Sequence, residues 1–267
     1  MSFLTRLVKA GGHLNIRRRF SVVKNYIWSF KKTKPSDQVR AVIFAQGRSG
    51  SSVLESLICS TGYFALNGEI LAVNRGEIRY PARYIRGGGR WAAPENFIFH
   101  VKIYQLTRDR KRPVDPGAFL KSLYSDGWKI IYLRRKDKVR QAMSNIVAEN
   151  RGDYHKFDGS EEKFHLSVDC DDLVNKIKER LRFAEEDKKA LSGMSCHEVV
   201  YESDLEDPDM HQLTIDRILD YLSLDRREVS TDYRKINTQS MEELVINYDE
   251  VADRLMKEGF QDFRFSI

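Results

Sequence analysis

The apolar run Ala41-Val42-Ile43-Phe44-Ala45 leads into Gln46-Gly47-Arg48-Ser49-Gly50-Ser51-Ser52, and that stretch leads into a helically periodic segment over 53–58. A buried strand, a tight Gly/Ser turn and a helix strongly constrain the fold around them. The helix start offers backbone N–H groups and the positive end of a dipole, so the joint can cradle an oxyanion. The usual nucleotide loop reads GxxxxGK[ST], with a lysine beside a magnesium-binding hydroxyl. Here the spacing is GxxG, without lysine and with Arg48, whose planar guanidinium grips an oxyanion bidentately.

Further apolar runs at 96–104, 128–133 and 197–201 are separated by segments of helical period. That alternation predicts an α/β fold, a parallel sheet covered by helices on both faces. Helices are expected over 51–59, 119–125, 138–149 and 169–191, with two more, 210–222 and 241–257, closing the chain. In 169–191 the apolar stripe falls on positions 173, 177, 181 and 184. Residues 74–96, rich in Gly and Arg around Gly87-Gly88-Gly89, read as a mobile loop and a lid over an acceptor. Residues 1–36 read as a basic extension closed by a linker near Pro35, and 37–267 as one domain.

The net charge of +6 comes from this extension: nine of the 45 Lys and Arg side chains, and no acid, fall in residues 1–35. The remainder is mildly acidic, which argues against a nucleic-acid partner. Phe3, Leu4, Leu7, Val8, Val22, Val23, Tyr26, Ile27, Trp28 and Phe30 recur among the cations at helix-like spacing. A solvated extension, a peripheral arm on anionic membrane and a transit peptide are the alternatives. No apolar stretch approaches the roughly 18 residues of a membrane span. Three cysteines, Cys59, Cys170 and Cys196, lack metal-ligand spacing and point to free thiols in a reducing, cytoplasmic setting. The six histidines form no zinc motif, so no metal is expected.

Where a nucleotidase ends its neighbouring strand in a metal-binding aspartate, the run at 128–133 is followed by Arg134-Arg135. Ser144, on the following helix, can add a hydroxyl. Two anion sites thus fall at the carboxyl ends of adjacent strands, suited to a nucleoside phosphorylated at both ends. For acid–base chemistry, Glu69 lies in the turn Asn67-Gly68-Glu69, which can face the mouth of the sheet. His100 and Lys102 share one face of a strand, where Lys102 can meet a transferring group and His100 is a second candidate base. Glu55 reads as a supporting or surface residue.

QGRSGSSVLESL, followed downstream by IIYLRRKDKVRQAMS, resembles the two cofactor signatures of sulfotransferases that use 3′-phosphoadenosine 5′-phosphosulfate. The bacterial carbohydrate branch, with its trehalose and nodulation-factor sulfotransferases, is the most similar. NGEIL at 67–71, HVKI at 100–103, VVYESDLEDP at 199–208 and INYDEV at 246–251 fall in the family's order, so the resemblance spans most of 39–260. It implies a P-loop-like parallel sheet. It also implies that Gly47, Arg48, Ser49, Gly50, Ser51 and Ser52 hold the 5′-phosphosulfate and that Arg135 and Ser144 hold the 3′-phosphate. Glu69 would be the base, and a hydroxyl of a carbohydrate or glycolipid the acceptor. Ser144 follows Arg135 one position later than is usual in the family, which leaves Arg134 and Lys136 as alternatives. Lys235 and Thr238, in YRKINTQ, match a further cofactor-proximal motif. A small-molecule kinase with a degenerate loop, or a non-catalytic anion-binding protein, are the other readings.

Overall fold

The computed structural model describes residues 16–31, 37–151, 164–233 and 240–260. Among them, four strands form one parallel sheet: β1 (Arg40–Ala45), β2 (Phe97–Lys102), β3 (Lys129–Arg134) and β4 (His197–Val200), in the order β2-β1-β3-β4. The helices are α1 (Ile16–Trp28), α2 (Ser51–Ser60), α3 (Pro81–Ala92), the single turn α4 (Ile103–Leu106) and α5 (Pro116–Tyr124). They continue as α6 (Lys138–Arg151), α7 (Cys170–Leu191), α8 (His211–Leu222), α9 (Met241–Leu244) and α10 (Tyr248–Lys257). This is the α/β architecture expected from the alternation of apolar runs and helical segments.

β1 is buried along its whole length because it lies inside the sheet and both its faces are covered. Val42 and Phe44 enter one core with Phe99, Ile130, Tyr84 and Phe183, while Ala41, Ile43 and Ala45 enter the other with Leu54, Ile58, Ile215 and Leu219. Registers of Ala45 with Lys102 and with Leu133 end the strands level. The segments that leave them, beginning near residues 46, 103, 135 and 201, therefore meet along one edge. Such carboxyl-end edges are where open parallel sheets bind ligands.

The segment expected to be a lid is helix α3, with Pro81 in its first turn and Tyr84 and Ile85 buried. Glycine in a helix costs about 1 kcal/mol relative to alanine, and here tertiary packing overrides that cost. A Cβ on Gly87 would lie 1.6 Å from the Asn25 carbonyl oxygen, and one on Gly89 would lie 2.9 Å from the Trp128 ring. The glycines let α1 and Trp128 approach the α3 backbone.

Residues 16–28, expected within a free extension, are thus part of the body. Val22 and Tyr26 are buried in the core. The Tyr26 hydroxyl accepts the Tyr80 N–H at 3.0 Å, and Arg18 donates to the Ile70 carbonyl at 2.6 Å. Phe20, Ile27 and Phe30 remain outside, with Trp91 half exposed beside them. Residues 1–15 lie outside the described residues. Among the described residues no helix is long and apolar enough to cross a membrane.

The long helix α7 departs from its expected stripe. Leu173 and Ile177 are buried as expected, but Leu181 is exposed, and the buried side continues through Arg180, Phe183 and Asp187. The closing helix expected over 241–257 is interrupted at Val245, which enters the core instead.

Candidate functional site

The loop after β1 reverses through two left-handed residues, Arg48 (φ 62°) and Gly50 (φ 89°), the latter capping α2 without a side-chain bond. Alternation of left- and right-handed residues turns successive N–H groups inward to form an anion nest. Gly50 is required by its left-handed φ and because a Cβ on it would lie 2.8 Å from the Tyr201 ring, while a Cβ on Gly47 would meet the Tyr104 hydroxyl at 2.6 Å. Ser49 is buried, and its hydroxyl donates to the Gln46 carbonyl at 2.7 Å. Gln141, from α6, donates to the Gly47 carbonyl at 2.8 Å. With its carbonyls tied back, the loop keeps its shape. Ser51 is buried at the first turn of α2, and Ser52 reaches the neighbouring cleft.

Arg48 Nε donates to Ser144 Oγ at 3.0 Å, which joins the two predicted phosphate sites directly. Arg135 is buried over the Tyr201 ring, 4.6 Å from its centroid, and donates to the Arg48 carbonyl at 3.3 Å. Glu202 steadies the same corner. Its carboxylate lies 3.6 Å from Arg135 Nε and accepts the N–H groups of Lys136 and Asp137 at 2.9 and 3.0 Å. Arg134 points to the opposite face, where it pairs with Glu198 of β4 at 2.6 Å, and Lys136 is exposed. Of the three cations, Arg135 is the one brought to the loop.

The second cluster lies at the end of β2. Glu69 accepts from Lys102 Nζ through one carboxylate oxygen and from Gln105 Nε2 through the other. His100 Nε2 is 3.4 Å from the first of these oxygens, and its Nδ1 is 2.8 Å from Glu55 Oε2. The ring N–H directions are poorly aligned with both carboxylates, so these contacts are chiefly electrostatic. Glu55, 1% exposed, also accepts the N–H groups of Asn67 and Gly68 at 3.2 and 2.8 Å, which moors the turn that carries Glu69. Ser52, Glu55, Gly68, Glu69, His100 and Tyr233 line a polar cleft of about 330 Å³ beside the cluster.

Burial by itself would push the Glu69 carboxyl up, but His100 and the Lys102 ammonium outweigh it and hold the carboxyl at about 2. Burial pulls His100 down, and Glu55 and Glu69 more than compensate, so its pKa is raised and its charged form is favoured. Glu55 and Glu69 thus stand on either side of the His100 ring, with Lys102 alongside Glu69.

Gln46, Gln105, Gln141, Arg180 and Asp187 complete the surroundings and were not singled out as site residues from the sequence. Burial raises the Asp187 carboxyl to about 6 against the Gln46 amide that donates to it at 2.9 Å. Burial also lowers Lys138, which donates to the Arg135 carbonyl at 2.5 Å, to about 8. Lys235 and Thr238 lie outside the described residues. Among the described residues no three His, Cys, Asp or Glu side chains are grouped to hold a metal ion.

No protein-family model matches the chain, and no curated protein matches it. Solved structures do. A crystal structure of a sulfotransferase from Alicyclobacillus acidocaldarius superposes with a TM-score of 0.48 at 14% identity, over 85% of this chain and 98% of the other. A mouse sulfotransferase, SULT7A1, complexed with PAP superposes with a TM-score of 0.41 at 12% identity, over 78% of this chain and 66% of the other. Both likenesses are to sulfotransferases. At these scores neither assigns this chain a family.

Proposed function

We propose that the protein is a sulfotransferase that moves a sulfonate from 3′-phosphoadenosine 5′-phosphosulfate to a hydroxyl of a carbohydrate or glycolipid. The observation that carries this reading is the junction of Arg48, Ser144 and Arg135 at one glycine loop. Cations stand there where a nucleoside triphosphatase would hold an acid for its metal. The buried Arg135 and the nest-forming loop fit a ligand that carries phosphate at both ends.

In this reading residues 47–52 and Arg48 hold the phosphosulfate, and Arg135 with Ser144 holds the 3′-phosphate. The donor supplies an activated sulfonate: a bond forms from sulfur to the acceptor oxygen, and the bond from sulfur to the 5′-phosphate oxygen breaks. Glu69 receives the acceptor's proton. A carboxyl held at about 2 is a weak base. Drawing Lys102 away from Glu69 toward the sulfonate would raise its basicity as charge develops on the leaving group. Glu55 and His100 keep Glu69 in place, and the adjoining polar cleft suits a sugar hydroxyl.

A peripheral membrane contact belongs to the same proposal. Exposed Phe20, Ile27, Phe30 and Trp91 lie among Lys24, Lys31 and Arg83, a mixture suited to an anionic lipid interface. The deciding experiment is calorimetric binding of 3′-phosphoadenosine 5′-phosphate without magnesium, compared with AMP and with magnesium-ATP. Arg48→Ala and Arg135→Ala are each expected to weaken it by about 10- to 100-fold, the loss of one charge-assisted contact. Tighter binding of magnesium-ATP would instead favour the kinase reading.

A further inference from the structure

Helix α7 reads in the sequence as a long charged helix with an apolar stripe that leaves out Arg180, yet Arg180 is only 5% exposed. Among the described residues its guanidinium makes no ion pair and no side-chain hydrogen bond. Its Nε is buried without a partner. The nearest acid in sequence, Glu179, is occupied by Arg108 at 2.5 Å. Asp187, two turns further along the helix, is engaged by Gln46. A buried charge without a counterion is among the most unfavourable features a fold can carry, so such a group implies an anion that arrives from outside.

Arg180 lies against the glycine loop. Its Nη1 is 3.9 Å from the point where a side chain on Gly47 would begin, the same point that the Tyr104 hydroxyl approaches to 2.6 Å. Its own carbonyl accepts from Gln46, the residue that opens the loop, at 3.4 Å. Arg48, within the loop, donates to Ser144, and Arg135 donates to the Arg48 carbonyl. The unpartnered guanidinium thus adjoins the end of the loop where Gly47 leaves β1.

We propose that Arg180 is a third arginine of the anion site and that it binds the 5′-phosphate end of the nucleotide. The assignment rests on the proposed function for the identity of the nucleotide, and on the unpaired buried cation for the anion. A guanidinium there would neutralise negative charge on the 5′ end together with Arg48.

The test uses the full chain and an Arg180→Met variant, with three probes followed by calorimetry: 3′-phosphoadenosine 5′-phosphate, adenosine 3′-phosphate and inorganic pyrophosphate. The variant should bind the bisphosphate about 10- to 100-fold more weakly, with adenosine 3′-phosphate unchanged. It should also melt at a higher temperature without ligand, because an uncompensated buried charge has been removed. A merely structural arginine would lower that melting point. Equal weakening of the two nucleotides, or of neither, overturns the proposal. If the wild type ignores both nucleotides but binds pyrophosphate through Arg180, the anion role stands and the sulfotransferase reading falls. If pyrophosphate binding is also indifferent to the substitution, the anion role falls as well.

Discussion

Replacing Glu69 by glutamine should change the acid stability of the protein in a calculable way. The carboxyl titrates at about 2 in the folded chain against an ordinary 4.5. A group whose folded pKa is depressed stabilises the fold fully above the unfolded value, and that contribution is lost as pH falls through the folded one. Between pH 7 and pH 3 the unfolded chain gains most of this proton and the folded chain almost none. The resulting loss is about 2 kcal/mol, at 1.36 kcal/mol per pH unit. Glutamine keeps a carbonyl oxygen for Lys102 and has no proton to gain, so its stability lacks this part of the acid limb. Urea unfolding of both proteins at pH 7 and pH 3 measures the difference directly. The wild type should lead the variant at pH 7, and that lead should shrink by about 2 kcal/mol at pH 3. A difference independent of pH would refute the claim that Lys102 and His100 hold this carboxylate ionised.

Other consequences can be checked separately. Gly87→Ala places a methyl group 1.6 Å from the Asn25 carbonyl, so α1 must move away, and a loss of about 3 kcal/mol or more is expected in urea unfolding. Asp187→Asn removes a buried carboxyl raised to about 6. The ionised form is disfavoured in the fold, so the variant's stability relative to wild type should improve by about 1 kcal/mol from pH 5 to pH 8 in the same assay. Phe20→Ser with Phe30→Ser should lower partitioning onto anionic vesicles by at least about tenfold, read by co-sedimentation, since each phenyl ring contributes about 1.5 kcal/mol or more when buried. Equal sedimentation of both chains would remove the membrane surface.

Much of the site was readable because its signals are local. The strand, loop and helix at 41–58 announce themselves through an apolar run and two adjoining small-residue positions, and Glu69, His100 and Lys102 stood out as polar groups in apolar or turn settings. What escaped depended on distant partners. Gly87-Gly88-Gly89 has the composition of a loop, and only the approach of Asn25 and Trp128 makes glycine the right residue for a helix there. Arg180 occupies a position of the buried face of α7, yet in a stretch rich in charge it is indistinguishable from its solvated neighbours. The exposure of Leu181 shows how a stripe counted on apolar residues drifts by one position. Glu55 read as either a supporting or a surface acid, and only the convergence of His100 and the turn at 67–68 on it, which nothing local reveals, decides for the supporting role.

The seating of α1 in the glycine trough of α3 bears on how the protein can be handled. Because Arg18 holds the Ile70 carbonyl beside Glu69, helix α1 is a strut of the loop that carries Glu69 and cannot be trimmed as a tag-like leader. A chain cut within 32–36 would keep both halves of a shape-matched joint. A synthetic peptide covering 16–31 should therefore restore a truncated body in trans, making this helix a natural point at which to split the protein and reconstitute it on demand.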